Sequence, residues 1–584
     1  MKNSGYLYLL VFVLMLASKL LQAQEPFAGG HFWVSFTDKD HSPYSLERPW
    51  EFLSQRSLER RASQQISVNP LDLPPSPAYI DSLKADTAVE VWYTSRWFNG
   101  ALIYTTSLNA LERMASFPFV AGIEHVKPMP PEDKAPEEYL QDTAGKKVQP
   151  QGTQGKDLNY VLLDRQTNKR VAALWESVVN GNDFGFSAAT IAQINGDRLI
   201  ADGYFGQGKI IAVLDAGFLA ADQLSVFSHL WNTGRIGGTR DFVERQPNVF
   251  GSSPHGTYVL SVMAAKRPGE LMGTATGASY WLIRTEESAN EFRMEEYNWL
   301  AGAELADSLG ADIINSSLGY TRFDDPAQDY TYGQLDGQTT VVARAANLAA
   351  DRGMLVVNSA GNYAQQNWRY IGSPADSFGA LSVGAVEISG ERAAFSSFGP
   401  SADGRIKPEV MAHGRQVPVA NTAEGVALAN GTSFSSPVIA GMAAALWQKH
   451  PQASASQIKK AIIESGDRFL RPDTVFGHGI PDFVWASRLL QQNFQPERQL
   501  VLYPNPISPE TYISQFSEVD QQVNIEIFDL RGQLIYRLNY TLLTGYNRIQ
   551  PFGQVHHLNN GIYLLRMTAQ QTGEFSVAKF FKAW

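Results

Sequence analysis

Gly431-Thr432-Ser433-Phe434-Ser435-Ser436-Pro437 runs directly into Val438-Ile439-Ala440-Gly441-Met442-Ala443-Ala444-Ala445-Leu446-Trp447, a turn of small residues feeding a long apolar helix. The junction seats Ser433 at a helix N-terminus, where unpaired backbone N–H groups and the helix dipole favour developing negative charge. The pattern puts Pro437 early enough in that helix for its missing N–H to need no partner. By itself a Ser-rich helix start is a cap and no more. A nucleophile needs a base, and the base needs an orienting group, because a serine hydroxyl is weakly nucleophilic at its free pKa.

Both lie upstream. Lys209-Ile210-Ile211-Ala212-Val213-Leu214 is a continuous apolar run of the kind found in parallel strands buried on both faces, and it ends in Asp215-Ala216-Gly217. Its carboxylate therefore falls at the strand's C-terminal edge, where open α/β sheets gather their ligands. Pro254-His255-Gly256-Thr257 opens the amphipathic stretch Tyr258–Ala265, which places His255 at a helix start. Met354-Leu355-Val356-Val357 reads as another buried strand and runs into Asn358-Ser359-Ala360-Gly361-Asn362. An Asn amide there can supply an oxyanion donor beside the backbone N–H of the nucleophile. Taken singly, Asp215 and Asn362 read as turn residues and His255 as a surface histidine. In the order Asp, His, Ser they form one of the recurring chain orders of a catalytic triad.

Val213-Leu214-Asp215-Ala216-Gly217, His255-Gly256-Thr257, Ser317-Leu318-Gly319, Ala360-Gly361-Asn362 and Gly431–Pro437 together resemble the subtilisin-like serine peptidases, in the family's order and at fitting intervals. The resemblance implies Asp215, His255 and Ser433 as the triad and Asn362 as the oxyanion donor. It implies Ser317-Leu318-Gly319 as an extended edge onto which substrate adds as a strand, and Ser359-Ala360-Gly361 as a wall of the pocket for the residue before the cut. Recognition of that kind is mainly main-chain pairing and depends little on side-chain identity. No metal and no cofactor is required for the chemistry. Structural calcium is common in the family, yet no Asp/Asn-rich loop in this chain nominates ligands.

At 584 residues the chain is long enough for several domains, and its 44% hydrophobic and 11% aromatic content fits globular folding. A formal net charge of −10 argues against a nucleic-acid partner. The absence of cysteine excludes disulfides, thiolate chemistry and Cys-zinc sites. Lys2, the apolar run Tyr6–Ala17 and Leu21-Gln22-Ala23 read as a secretory signal peptide over residues 1–23.

Residues 24–127 alternate strands and helices: a strand His31–Thr37, a helix Pro49–Gln64 with Leu53, Leu58 and Ala62 on one side, and a helix Ala78–Ala85. A hairpin of Val89–Tyr93 and Ala101–Thr105 about Asn99-Gly100, a helix Leu108–Ser116 and a strand Val120–Val126 complete a small α+β domain. Its position and pattern look like the propeptide of subtilisin-like precursors, which in that family assists folding and inhibits until cleaved. The Arg56–Arg61 cluster reads as a solvated helix face. Residues 128–182 are Pro/Gly/Gln-rich linker and are expected to hold the maturation cleavage. Residues 183–492 carry the triad motifs on alternating strands and helices, among them Ser279–Arg284, Asp312–Asn315 and Ala380–Val386, which indicates a doubly wound parallel sheet of α/β class. His478 reads as a turn residue.

Residues 493–584 turn to short alternating strands, as in a small β-sandwich. Tyr503-Pro504-Asn505-Pro506, the turn Phe528-Asp529-Leu530-Arg531-Gly532 and Gly561-Ile562-Tyr563 resemble the C-terminal sorting domain of the Bacteroidetes type IX secretion system. His556 and His557 read there as loop residues. The whole is expected to be a secreted or cell-surface serine endopeptidase precursor, a monomer acting on polypeptide substrates, with its own propeptide as intramolecular inhibitor and the type IX machinery as partner. A non-catalytic surface or adhesion protein on the same fold is the rival reading. An esterase would want a Gly-x-Ser-x-Gly frame that Ser433 lacks.

Overall fold

The computed structural model describes residues 27, 29–129, 184–494 and 500–582, apart from 504, 509–510, 518 and 553–557, with backbone alone at 161–162, 492–494 and 545–546. The expected signal peptide, nearly all of the linker with the maturation bond, Pro504, His556 and His557 lie outside the described residues.

The N-terminal domain is an antiparallel sheet of β1 (Gly30–Phe36), β2 (Val89–Ser95), β3 (Gly100–Thr105) and β4 (Val120–Pro128), ordered β2-β3-β1-β4, with α1 (Gln55–Ser63), α2 (Pro77–Lys84) and α3 (Leu108–Ala115). Side chains alternate across a strand, and both faces are used. Phe32, Val34 and Phe36 of β1 join Leu83, Ile103 and Met114 in the domain's own core. Trp33 points the other way and stacks on Tyr297 at 4.4 Å, inside a cluster that also takes Trp97, Leu102 and Val126 into the core of the central domain.

The central domain is built on seven parallel strands: β5 (Ile210–Asp215), β6 (Ile236–Asp241), β7 (Ser279–Arg284), β8 (Ile313–Ser316), β9 (Leu355–Ser359), β10 (Ala380–Val386) and β11 (Val410–His413), ordered β11-β10-β9-β8-β5-β7-β6. Ile211 and Val213 of β5 face the core that holds α4 (His255–Ala264) and α7 (Thr432–Lys449). Ala212 and Leu214 face the other, with α5 (Met294–Leu309) and α6 (Val341–Asp351). This is the doubly wound parallel sheet anticipated from the alternation of elements. Two of its members, β6 and β11, carry little sequence signal. Ile236-Gly237-Gly238-Thr239-Arg240-Asp241 is a polar edge strand, and Val410–His413 is only 4 residues long.

The 49–64 stretch departs from expectation. It is a 3-10 turn, Pro49–Glu51, and then a separate helix α1 whose start is capped by Ser54 accepting from the Ser57 N–H. The face it buries holds Ser57, Arg60 and Arg61, not Leu58 and Ala62. The arginine cluster is therefore no solvated face. Asp307 of α5 receives Arg60, Arg61 at 2.7 Å and Arg96 at 2.5 Å, while Asp72 receives Arg61 at 2.9 Å and Arg352 at 3.1 Å. Guanidinium groups tolerate such burial only when paired and hydrogen-bonded, and here the pairing spans two domains. Next to it, Glu304 of α5 accepts the backbone N–H groups of Arg96 (3.0 Å) and Trp97 (3.1 Å).

The C-terminal segment forms two facing antiparallel sheets, one of 501–503, 512–517 and 545–549 and one of 534–542, 521–528, 561–569 and 575–582, around Ile513, Ile525, Ile527, Phe552, Leu565 and Phe580. The expected sandwich is present. It meets the central domain at α8 (Ala455–Glu464) and α9 (Phe483–Phe494), where Trp485 packs on Tyr512 at 4.8 Å and Arg548 lies 3.4 Å over the Tyr512 ring.

Candidate active site

The C-terminal edge of the sheet gathers the residues singled out in the sequence. Asp215 ends β5, fully buried, and its Oδ1 accepts from the Ala216 N–H (2.8 Å) and from His255 Nδ1 (2.7 Å). His255 is the first residue of α4. Glycine is required on both sides of that contact. The Gly256 N–H donates to Gly217 O at 3.0 Å, an approach so close that a Cβ at Gly256 would fall 2.4 Å from the same oxygen, and one at Gly217 would fall 1.9 Å from Ser252 Oγ. Burial alone lowers the affinity of His255 for a proton. The Asp215 charge and its hydrogen bond outweigh that and raise the pKa above 6.5. With Nδ1 donating to Asp215, the neutral ring keeps Nε2 as its acceptor.

Ser433 is the second residue of α7, and the ring of Phe434 beside it lies 6.0 Å from the His255 ring. The Ser433 hydroxyl donates to Ser317 O at 3.3 Å and not to His255. The reading of Pro437 needs correction. It lies inside α7, six residues into the helix, where its N–H would have bonded the Ser433 carbonyl. That carbonyl instead accepts from Ser317 Oγ at 2.9 Å. One residue of the 317–319 segment thus holds both the backbone and the side chain of Ser433.

Asn362 follows β9 and is oriented by Thr432, a residue the sequence showed only as a cap. Asn362 Oδ1 accepts from the Thr432 N–H (3.0 Å) and from Thr432 Oγ1 (3.1 Å), while Thr432 Oγ1 accepts from the Gly361 N–H (3.1 Å). Because the backbone N–H can only donate, the amide oxygen must face it, and Nδ2 is turned away as a donor with no hydrogen bond to any described residue. Ser436 Oγ donates to Asn315 Oδ1 at 3.0 Å and ties the same helix start to β8.

The implied substrate segments flank this centre. Ser317-Leu318-Gly319 continues β8, Ser359 ends β9 and Ala360-Gly361 continues it, and the two strands are parallel neighbours with Ser316 opposite Asn358. The 321–333 stretch packs on the N-terminal domain: Gln328 Nε2 donates to Val126 O at 3.4 Å. His478 is a turn residue bonded through its N–H to Glu409 O at 2.8 Å. A cavity of about 670 Å³ lined by Met354, Leu355, Phe378 and Lys459 holds none of these residues and opens at the N-terminal edge of the sheet.

Beside Tyr320, the buried Glu286, Glu291 and Glu295 bring one oxygen each within 4.8 Å of the others, an all-oxygen set of the type hard cations take. Glu286 is held by the hydroxyls of Tyr320 and Thr285, and Glu295 by the N–H groups of Glu287 (2.7 Å) and Phe292 (3.2 Å). The sequence carried no signal for this grouping.

A model of the subtilase family matches residues 206–479, one of the Bacteroidota peptidase S8 propeptide domain matches 31–141, and one of a secretion system C-terminal sorting domain matches 501–581. Over 302 residues the chain is 29% identical to a thermostable alkaline protease of Halalkalibacterium halodurans, covering 52% of this chain and 73% of that protein. It is 30% identical over 306 residues to Subtilisin NAT of Bacillus subtilis subsp. natto (51% and 70% covered), and 30% identical over 285 residues to Subtilisin DY of Bacillus licheniformis (48% and 92% covered).

Proposed function

Because the chain belongs to the subtilase family, as a serine endopeptidase with a Bacteroidota-type propeptide domain and a secretion sorting domain, we propose that Ser433 is its nucleophile, His255 its general base and Asp215 the orienting carboxylate. The observation that carries this reading is the 2.7 Å bond from His255 Nδ1 to Asp215, which presents Nε2 as acceptor beside the helix start bearing Ser433. The sorting domain marks the protein for export to the cell surface or beyond.

The Ser433 hydroxyl leaves Ser317 O, gives its proton to Nε2 and attacks the scissile carbonyl carbon. The oxyanion takes hydrogen bonds from Asn362 Nδ2 and the Ser433 N–H. The imidazolium, compensated by Asp215, returns the proton to the departing amine, and water hydrolyses the Ser433 ester by the same path. The polypeptide lies extended along 317–319, with 359–361 walling the side-chain pocket before the cut. The reaction draws on no cofactor, one chain supplies every group so that a monomer suffices, and a structural calcium ion would serve stability alone.

The propeptide domain acts as the intramolecular inhibitor until maturation in the linker removes it. The type IX secretion machinery is the partner of the C-terminal domain. Labelling by a fluorophosphonate probe, lost in Ser433→Ala, tests the nucleophile. An unlabelled, inactive mature protein would favour the non-catalytic surface role instead.

A further inference from the structure

The gap beside the nucleophile is bounded on three sides by backbone. Ser317 is bonded to Ser433 on one side, and Gly361 and Asn362 to Thr432 on the other. The far end is closed by 372–373: the Gly372 N–H donates to Ala360 O at 3.2 Å, and Tyr320 and Ser373 exchange backbone hydrogen bonds of 2.8 and 3.2 Å. Gly319, Gly361 and Gly372 line this slot without side chains.

Tyr363 lies in it. It is only 2% exposed, with its ring against Gly361 and Gly372 and its hydroxyl against Gly319. An added Cβ would meet Tyr363 Cε2 at 2.8 Å from Gly361 and at 3.3 Å from Gly372, and the Tyr363 hydroxyl at 3.8 Å from Gly319. That hydroxyl donates to Gly319 O at 3.2 Å, so the phenol bridges the two segments that flank the reaction centre.

In the proposed binding mode, with the carbonyl oxygen toward Asn362, the carbon at Ser433 and 359–361 walling the pocket, the side chain preceding the scissile bond is directed at this slot. From this we infer that Tyr363 is a specificity-determining residue that occupies most of the slot, so that the enzyme cuts after glycine and alanine and rejects large side chains at that place. The inference rests on the hydrolase reading above.

The mature enzyme is assayed on fluorogenic peptides differing only in the residue before the cut: Gly, Ala, Leu, Phe or Arg. Expected is a kcat/KM at least about a hundredfold higher for Ala than for Phe, the order of discrimination a shaped pocket gives. Tyr363→Gly and Tyr363→Leu are expected to raise the Phe-to-Ala ratio at least about tenfold, the glycine variant more. A native enzyme that prefers Phe, Leu or Arg, or variants that keep fluorophosphonate labelling with an unchanged ratio, would overturn the role of Tyr363 while leaving the hydrolase intact. Failure of the native enzyme to label and to cleave any of the peptides would overturn the hydrolase reading and the pocket with it.

Discussion

Arg61 of the propeptide domain and Asp307 of the central domain, 246 positions apart, form a buried ion pair of 2.7 Å, and the same carboxylate also receives Arg60 and Arg96. Removing Asp307 would leave three guanidinium groups out of water without that partner. Asp307→Ala is expected to destabilise the inactive Ser433→Ala precursor by about 3–5 kcal/mol, read by denaturant unfolding. Inhibition of the mature enzyme by added propeptide domain should weaken by at least about a hundredfold. Unchanged values for both would show the network contributes nothing to docking.

Ser433→Ala and His255→Ala should each lower turnover by several orders of magnitude, with little further loss on combining them, because the groups act as a unit. Asn362→Ala should lower kcat by about 10²–10³ with a small change in KM, the mark of a donor used in the transition state. A change confined to KM would move Asn362 out of the oxyanion site.

His255 must be neutral to accept the serine proton, and Asp215 raises its pKa above 6.5 against the opposing effect of burial. The acid limb of kcat/KM should therefore have its midpoint above pH 6.5 and rise toward neutrality. Asp215→Asn removes the raising influence, so the limb should move to lower pH while the plateau falls by about 10⁴. Linkage gives the matching stability term. The charged ring is favoured in the fold, so that contribution is full below pH 6.5 and is lost as pH rises through the folded pKa. A limb that stays in place in the variant contradicts the assignment.

Ser317 Oγ satisfies the Ser433 carbonyl that Pro437 cannot. Ser317→Ala should cost about 1–3 kcal/mol by leaving a buried acceptor unpaired. Pro437→Ala restores an N–H at the right turn of the helix, so the double variant should recover part of the loss. A double-mutant cycle by thermal unfolding reads the coupling, and strict additivity would refute it.

Burial pushes the Glu286 carboxyl up to about 8 against the hydrogen bonds from Tyr320 and Thr285, with Asp215 and Glu296 adding to the rise. Its proton is retained in the fold and released on unfolding, so native stability should fall as pH rises from about 4.5 to about 8. Glu286→Gln has no such proton to lose. Its melting temperature relative to the native chain, both in the Ser433→Ala background, should climb across that interval, and a flat difference would count against a protonated Glu286.

The strands that carry the candidate site were legible because each is a run of apolar residues ending in a distinctive turn: Leu214 into Asp215, Val357 into Asn358. The hairpin at Asn99-Gly100 was legible for the same reason, since a few neighbouring residues set its geometry. Where local signal was weak, as in the polar edge strand Ile236–Asp241, the pairing came from the sheet itself.

The sequence by itself determined most strands and helices that surround the site, the division into three structured units and the choice of Asp215, His255, Asn362 and Ser433 as candidates, because motifs of this kind are short and locally encoded. Only the tertiary structure decided that Arg60 and Arg61 are buried, that Ser317 replaces the hydrogen bond Pro437 forfeits, and that Tyr363 packs among Gly319, Gly361 and Gly372. Each of those depends on what a residue meets in the folded chain, 246 positions away for Arg61 and Asp307, 116 for Ser317 and Ser433 and 44 for Tyr363 and Gly319, and solvation, pairing and steric room are properties of that meeting, not of the residue alone.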